Sequence, residues 1–200
     1  MGRRLWQRGL VSGNEGNISA RLSVDVVLCT PSGCSKGHLE PSDIVRIDLA
    51  GLPLDSGIPS TEIKIHLEAY RRRPDCAAVV HAHPPTAVAF TVAAVGIPED
   101  VLPEAAVVLG RVPTVPFEMP GTQRLADAIS PYLDAHKTLL LDHHGAMVLG
   151  KDLFDACYRM ECLESVCVVL MKARLLGGLQ PMPRVAYDHF RQMALNGRLD

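Results

Sequence analysis

The chain lacks the features that mark a membrane-spanning or nucleic-acid-binding protein. Although 48% of its 200 residues are hydrophobic, no apolar run reaches the roughly 18 residues that a membrane helix needs, and the amino terminus carries no signal-peptide core. The formal net charge is −2, and the one short basic run, 71–73, ends a predicted helix, where cations favour the helix dipole. We therefore expect a cytoplasmic protein that binds neither membranes nor nucleic acid.

Cysteine pairs, internal repeats and low-complexity segments are also missing. The six cysteines include no C-x-x-C pair, and Cys157, Cys162 and Cys167 are spaced five apart in a predicted helix. In a reducing compartment we expect all six to be reduced packing residues. A length of 200 residues without an internal boundary predicts a single domain over 1–200.

The pattern that stands out is a pair of histidines at the end of an apolar run. Residues 78–85 read A-V-V-H-A-H-P-P, which predicts a buried strand ended by the two prolines. Side chains two apart on a strand lie on the same face, so His81 and His83 either converge on a metal ion or bond to backbone groups at the strand end. A second buried strand, 138–142, runs into His143, His144 and Gly145.

A carboxylate joins these imidazoles as a candidate ligand. The helix predicted over 60–73 has an apolar stripe of Ile63, Leu67 and Tyr70, and it carries Glu62 in its first turn. Three imidazoles and one carboxylate form a ligand set that suits zinc or a similar divalent ion and leaves a position open for a substrate.

Three loops that lead to these residues carry amide, hydroxyl and backbone N–H donors. They contain Asn17, the pair Ser32 and Gly33, and the pair Ser60 and Thr61. Such donors suit a phosphate or a carboxylate, most of all at a helix N-terminus. Each loop alone could be an ordinary turn or helix cap, but their shared position next to the candidate ligands indicates an anion site.

The remaining pattern predicts mixed α/β structure. An early hairpin over 18–29 starts antiparallel pairing, and short strands are expected at 107–109 and 112–115. A helix after Gly121 contains Pro131, which predicts a kink or a break. The longest helix, from Lys151 to about Leu176, is apolar almost all round over 162–171, which predicts packing against another subunit.

Five ordered motifs resemble the class II aldolase/adducin family, in particular its fuculose-phosphate aldolases. The resemblance covers nearly all of the chain up to the long helix. It implies a three-layer α/β/α fold with a mostly antiparallel central sheet, a C4 homotetramer and a zinc ion at the subunit boundary. The motifs are Gly16-Asn17-Ile18-Ser19, Thr30-Pro31-Ser32-Gly33, Pro59-Ser60-Thr61-Glu62, His81-Ala82-His83 and His144-Gly145.

The resemblance also implies a role for each residue of this sequence that matches a position in the family motifs. Zinc, or another divalent ion such as Mn²⁺ or Co²⁺, would be bound by His81, His83, His144 and Glu62, and Glu62 would also act as the acid/base. His143 is not expected to be a ligand, since the family motif has the metal-binding histidine directly before the glycine. The substrate phosphate would be held by Asn17, Ser32, Gly33, Ser60 and Thr61.

The resemblance implies reversible aldol cleavage of a ketose phosphate to dihydroxyacetone phosphate and an aldehyde. The alternatives are decarboxylation of a sugar-acid phosphate, dehydration or epimerisation of a sugar phosphate, and an adducin-like binding module without catalysis. One departure from the family matters here. Leu102 aligns with a tyrosine that serves the aldehyde side in fuculose-phosphate aldolase, and leucine cannot donate a proton. Nearby Glu104 is either a substitute acid or a surface carboxylate.

Overall fold

The computed structural model describes residues 1–196, so the last four residues of the predicted 1–200 domain lie outside the described part. In this part seven β-strands alternate irregularly with six α-helices. The strands are β1 (Asn17–Arg21), β2 (Val26–Cys29), β3 (Val45–Asp48), β4 (Ala78–Ala82), β5 (Thr114–Val115), β6 (Thr138–Leu141) and β7 (Gly145–Gly150). The helices are α1 (Gly2–Gln7), α2 (Ile63–Arg72), α3 (Pro85–Val92), α4 (Gln123–Leu133), α5 (Leu153–Leu175) and α6 (Arg184–Leu195).

All seven strands form one sheet in the order β3-β2-β1-β4-β7-β6-β5. Every neighbouring pair is antiparallel except β5 and β6, which are parallel. Strands β4 and β7 lie at the centre, and all their residues are buried. A strand covered on both faces needs apolar side chains on both, which is why these segments are continuous apolar runs rather than alternating ones.

Helices cover both faces of the sheet. One hydrophobic core lies between the sheet and helices α1, α3 and α5, and a second core lies between the sheet and helices α2 and α4. The predicted three-layer α/β/α architecture with a mostly antiparallel central sheet is thereby confirmed.

One local prediction was wrong, and one of the two outcomes predicted for Pro131 is excluded. Residues 107–109, expected as a strand, belong to a π-helical segment, Ala105–Leu109, whose Ala105 and Leu109 pack into the core beside α5. A short apolar run cannot be assigned to a strand or a helix by periodicity alone, and here packing decided. Pro131 does not break α4, which continues to Leu133. The proline is exposed and lies in the last turn, where a lost backbone hydrogen bond disturbs little of the helix.

All six cysteines are free, as predicted, but Cys34 is exposed, so the expectation that every cysteine is a packing residue is wrong for Cys34. Cys29, Cys76, Cys157 and Cys167 are buried, and burial raises the pKa of the Cys157 thiol to about 11. These thiols are therefore protonated and act as small apolar groups. None of the helices within residues 1–196 has the length and apolar character needed to cross a bilayer.

Candidate metal centre

Two of the candidate ligands are placed by the central strand β4. His81 lies in the strand and is fully buried, and His83 follows the strand end. The Nδ1 atom of His81 is 2.9 Å from the carbonyl oxygen of Ala146 on β7. Since a carbonyl only accepts hydrogen bonds, Nδ1 carries the hydrogen, so Nε2 is the His81 atom that would bind a metal ion.

The third histidine comes from the tight turn between β6 and β7. His143 in this turn has a φ of 53°, a left-handed conformation that is uncommon for residues other than glycine. The turn leaves the His143 ring exposed beside Asp142, 3.0 Å from its carboxylate, and brings His144 to the rings of β4. His143 therefore lies outside the histidine group, which consists of His81, His83 and His144.

The histidine group and Glu62 converge on one point. The three rings offer one ligand atom each, and these atoms all lie within 4.8 Å of one another. The Nε2 atoms of His81 and His83 are 3.2 Å apart. Glu62 reaches two of the rings, with Oε2 3.2 Å from His81 Nε2 and Oε1 3.2 Å from His144 Nε2.

Glu62 lies just before α2 rather than inside its first turn. It is the N-cap residue, but its side chain makes no hydrogen bond to the helix backbone. The short side chains of Asp, Asn, Ser or Thr at this position accept from the first N–H groups of the helix, whereas the longer side chain of Glu62 makes no such bond. Here it points to the histidine group instead, and it accepts a hydrogen bond of 3.2 Å from Nδ2 of Asn17 on β1.

The electrostatics of the group favour a ligand set ready for a cation. Burial alone would raise the pKa of Glu62, but the close approach of His144 and His81 outweighs it and holds that pKa well below its usual range. Burial, with the neighbouring rings of His81 and His144, lowers the pKa of His83 to about 4. Near neutral pH the group therefore offers a carboxylate and a neutral imidazole, which are the forms that bind metal ions.

The polar atoms left without partners support the same conclusion. Among residues 1–196, Oε1 of Glu62 is buried and makes no hydrogen bond, although Nε2 of His144 lies 3.2 Å away, and Nδ1 of His144 is also buried without a partner. Buried polar atoms are rarely left unpaired in native proteins. Holding three imidazole nitrogens and one carboxylate oxygen this close together is unfavourable without a cation between them. Three nitrogens and one carboxylate oxygen fit a divalent metal ion that keeps a position open.

The loops predicted to hold an anion lie side by side. Pro31 and Pro59 form an isolated antiparallel bridge, and the backbone N–H of Ser32 donates to Ile58 at 2.9 Å. Ser32 and Gly33 are thus brought next to Ser60 and Thr61, and Ser32, Gly33 and Thr61 are exposed. Asn17 is different, because it is buried and directed to Glu62.

Lys36, the cation nearest to these loops in sequence, is buried. Its Nζ donates to the carbonyl oxygens of Asn14 and Cys34, both at 2.6 Å. Lys36 therefore ties the loop that precedes Asn17 to the loop that follows Ser32 and Gly33.

Several buried side chains beside the site were given no polar role from the sequence, and Tyr70 was expected only in the apolar stripe of α2. The hydroxyl group of Ser19 on β1 is hydrogen-bonded to both His66 and Tyr70 on α2. Their signal was present in the spacing, since His66 follows Glu62 by four residues and Ser19 follows Asn17 by two, which places each pair on one face of its element.

Gly145 is the point where β7 approaches the histidines most closely. A methyl group on this residue would lie 2.6 Å from the carbonyl oxygen of Ala82, 2.7 Å from Cδ2 of His83 and 3.0 Å from Cε1 of His81. We expect Gly145→Ala to displace both rings and to weaken divalent-metal binding by about 10-fold or more, measured by competition with a chelator. Gly96→Ala is the control, because its methyl group would contact nothing within 4 Å. Equal affinities in the two variants would contradict this prediction.

Comparison with protein families gives one match over most of the chain. Residues 1–171 match the class II aldolase and adducin N-terminal domain. This range contains the histidine group, Glu62 and the three anion loops.

Individual relatives include two kinds of enzyme. The chain is 32% identical over 174 residues to a 3-oxo-tetronate 4-phosphate decarboxylase of Pectobacterium atrosepticum, covering 85% of this chain and 80% of the relative. It is 35% identical over 162 residues to an L-fuculose phosphate aldolase of Methanococcus vannielii, covering 81% and 87%. Among solved structures, L-fuculose-1-phosphate aldolase from Thermus thermophilus is similar with a TM-score of 0.80 and 32% identity, covering 91% of this chain and 94% of that one.

Proposed function

The chain belongs to the class II aldolase and adducin family, and from this premise we propose that it decarboxylates a four-carbon 3-oxo sugar-acid phosphate in a divalent-metal-dependent reaction. Support comes from its similarity to 3-oxo-tetronate 4-phosphate decarboxylases of several bacteria, at 31–33% identity. Aldol cleavage, which the motifs placed first, becomes the second candidate, and its support is the similarity to L-fuculose phosphate aldolases.

We assign the metal to His81, His83, His144 and Glu62, and zinc is the ion we expect. The observation that carries the assignment is the convergence of the three ring nitrogens within 4.8 Å of one another, with the Glu62 carboxylate 3.2 Å from two of the rings. A divalent ion bound there would withdraw electron density from the carbonyl and hydroxyl oxygens of the substrate.

The proposed reaction balances without a further reactant. In a 3-oxo acid the bond between C1 and C2 breaks, carbon dioxide leaves, and the electron pair passes to C2 and the C3 oxygen. One proton then returns to C2, which yields dihydroxyacetone phosphate. The proton comes from solvent water, and Glu62, whose carboxylate lies against His81 and His144, would pass it to C2.

Leu102 favours decarboxylation over aldol cleavage. Retro-aldol cleavage must remove a proton from the hydroxyl group that becomes the aldehyde, whereas a carboxylate already lacks its proton when carbon dioxide leaves. The position that matches the aldehyde-side tyrosine of the aldolases holds Leu102, which is half-buried and packs against the hydrophobic core. Glu104 is exposed, which is consistent with a surface carboxylate.

We propose that the phosphate of the substrate binds at the neighbouring loops of Ser32, Gly33, Ser60 and Thr61, with Asn17 at the metal end of the same pocket. The bridge between Pro31 and Pro59 that joins the two loops supports this assignment. A dianion held by hydroxyl and backbone N–H donors beside a helix N-terminus is favourable.

A product assay tests the proposed reaction. The zinc-loaded protein is incubated with D- and L-3-oxo-tetronate 4-phosphate and, separately, with L-fuculose 1-phosphate and other ketose 1-phosphates, and carbon dioxide, dihydroxyacetone phosphate and free aldehyde are measured. We expect carbon dioxide and dihydroxyacetone phosphate from an oxo-acid. Aldehyde with dihydroxyacetone phosphate from a ketose phosphate, and no carbon dioxide from any oxo-acid, would establish aldol cleavage in its place.

We further propose a C4 homotetramer. Helix α5 exposes Phe154, Tyr158, Val169 and Met171, each at least 40% accessible in the isolated chain, and such apolar side chains favour burial between subunits. Light scattering at micromolar concentration is expected to give the mass of four chains. A stable monomer would contradict this assembly.

A further inference from the structure

A row of polar side chains joins strand β1 to helix α2. On β1 they are spaced by two residues and share one face, and on α2 they are spaced by four and share one face. Two strand residues advance about 6.6 Å along the strand, and four helix residues advance about 6.0 Å along the helix. Corresponding residues of the two series therefore lie side by side. This polar row consists of Asn17, Ser19 and Arg21 on β1, and Glu62, His66 and Tyr70 at the start of and along α2.

Each member of the polar row contacts its counterpart. Nδ2 of Asn17 donates to Oε2 of Glu62 at 3.2 Å. The hydroxyl oxygen of Ser19 lies 2.7 Å from Nδ1 of His66 and 2.7 Å from the hydroxyl oxygen of Tyr70, so it shares a hydrogen bond with both. At the far end, Nη2 of Arg21 donates to the carbonyl oxygen of Tyr70 at 2.8 Å, and its guanidinium carbon lies 4.9 Å from the centre of the Tyr70 ring.

The middle of the polar row is closed to water. Ser19, His66 and Tyr70 are at most 2% exposed, and burial lowers the pKa of His66 to about 3, which keeps the ring neutral. A buried polar group that loses its partner is costly. Sliding or rotating α2 along β1 would break several of these hydrogen bonds together, so the row defines one position of the helix.

The position of Glu62 needs such a restraint, because its side chain points away from its own helix. Its carboxylate makes no hydrogen bond to the helix backbone and reaches the histidine group instead. A long, flexible glutamate side chain has several rotamers, and only some of them direct the carboxylate to the histidine group. The hydrogen bond from the Asn17 amide holds the carboxylate of Glu62 toward β1. The Ser19–His66 contact fixes the position of α2 along its axis relative to β1.

We infer that the polar row positions Glu62 at the histidine group, and that His66 is its central positioning residue. The inference rests on the proposed function in one respect, since it takes Glu62 to be a metal ligand. It adds that Ser19, His66 and Tyr70, which would contact neither the metal nor the substrate, affect how tightly the metal binds.

The test compares three variants of the full chain. His66→Leu removes the polar contact to Ser19, and His66→Asn keeps a polar atom near the position of Nδ1. Ser130→Ala is the matched control, because Ser130 on α4 donates to Oε1 of Glu68 at 2.6 Å and so anchors the same helix from another side. Zinc and cobalt affinities are measured by chelator competition, together with thermal unfolding, kcat and KM, at temperatures where each variant is folded.

We expect His66→Leu to weaken metal binding by about 10- to 100-fold and to lower kcat more than it raises KM. His66→Asn should recover most of the affinity. Ser130→Ala should lower the unfolding temperature but bind metal as the wild type does. If His66→Leu does not fold, Ser19→Ala takes its place with the same expectation.

The outcomes separate this inference from the proposed function. Wild-type metal affinity in a folded but less stable His66→Leu or Ser19→Ala would show that the row is only structural and would overturn the inference. A wild-type protein that binds no divalent metal would overturn both proposals. A wild-type protein that binds metal but forms no carbon dioxide would refute the proposed reaction alone, because the effect of His66 on metal affinity would still be measured.

Discussion

Glu62→Gln is expected to lower kcat by 10² to 10⁴, on the order of what loss of a general acid or base costs. Glutamine keeps the size and shape of the side chain, and its amide oxygen retains an acceptor for Nδ2 of Asn17, whose donor hydrogen bond to Glu62 is 3.2 Å long. It cannot take up and return a proton, so the fold should persist while turnover is lost. Steady-state release of carbon dioxide or dihydroxyacetone phosphate measures the effect.

The matched control for this prediction is Glu68→Gln. Glu68 lies on the same helix, six residues further on, and contacts Ser130 and Arg71 rather than the histidine group. Its replacement should leave kcat close to that of the wild type, since Glu68 makes its contacts with Ser130 and Arg71 and not with the histidine group. Near wild-type turnover in Glu62→Gln would show that another group moves the proton.

His83→Ala is expected to remove most of the bound metal. Loss of an outer-shell partner alone typically costs about 10- to 100-fold in metal affinity, and loss of a direct ligand should cost more. His83 is the better choice for this test than His81, because His81 is fully buried and hydrogen-bonded to Ala146, so its removal would also damage the fold. Elemental analysis of the purified protein gives the metal content directly.

The control for the metal prediction is His38→Ala. His38 is exposed, lies outside the histidine group and packs against Trp6, so its removal should leave one metal ion per chain. Full metal occupancy in His83→Ala would contradict the ligand assignment. Loss of metal in both variants would indicate general unfolding, which circular dichroism of the same samples would reveal.

The elements around the site could be predicted because their signals are local. The apolar runs of β4 and β6 each end in histidines, and strand geometry places His81 and His83 on one face. Boundaries were less certain. The start of α2 was expected before Glu62, whereas the helix begins at Ile63, since residues next to a helix start satisfy much the same local preferences as those inside it.

Other features depended on which segments meet in space. No local pattern indicates that residues 105–109 form a π-helical segment, because packing beside α5 outweighs the strand preference of valine. Asn17 was grouped with Ser32 and Ser60 as an anion ligand from the donors in its loop and from the resemblance to the family. The structure places its amide against Glu62, a contact between residues 45 positions apart.

By itself, the spacing of side chains determined the mixture of strands and helices, the apolar strands that form the sheet centre and the residue types at their ends. The three-layer arrangement was expected only from the resemblance to a family. Only the tertiary structure decided that Asn17 donates to the carboxylate of Glu62, and that Ser19, His66 and Tyr70 join β1 to α2. The physical reason is that these contacts require β1 to pair with β4 and α2 to pack across them. The free energy of that packing comes from contacts among many residues, so no single segment of the sequence predicts it.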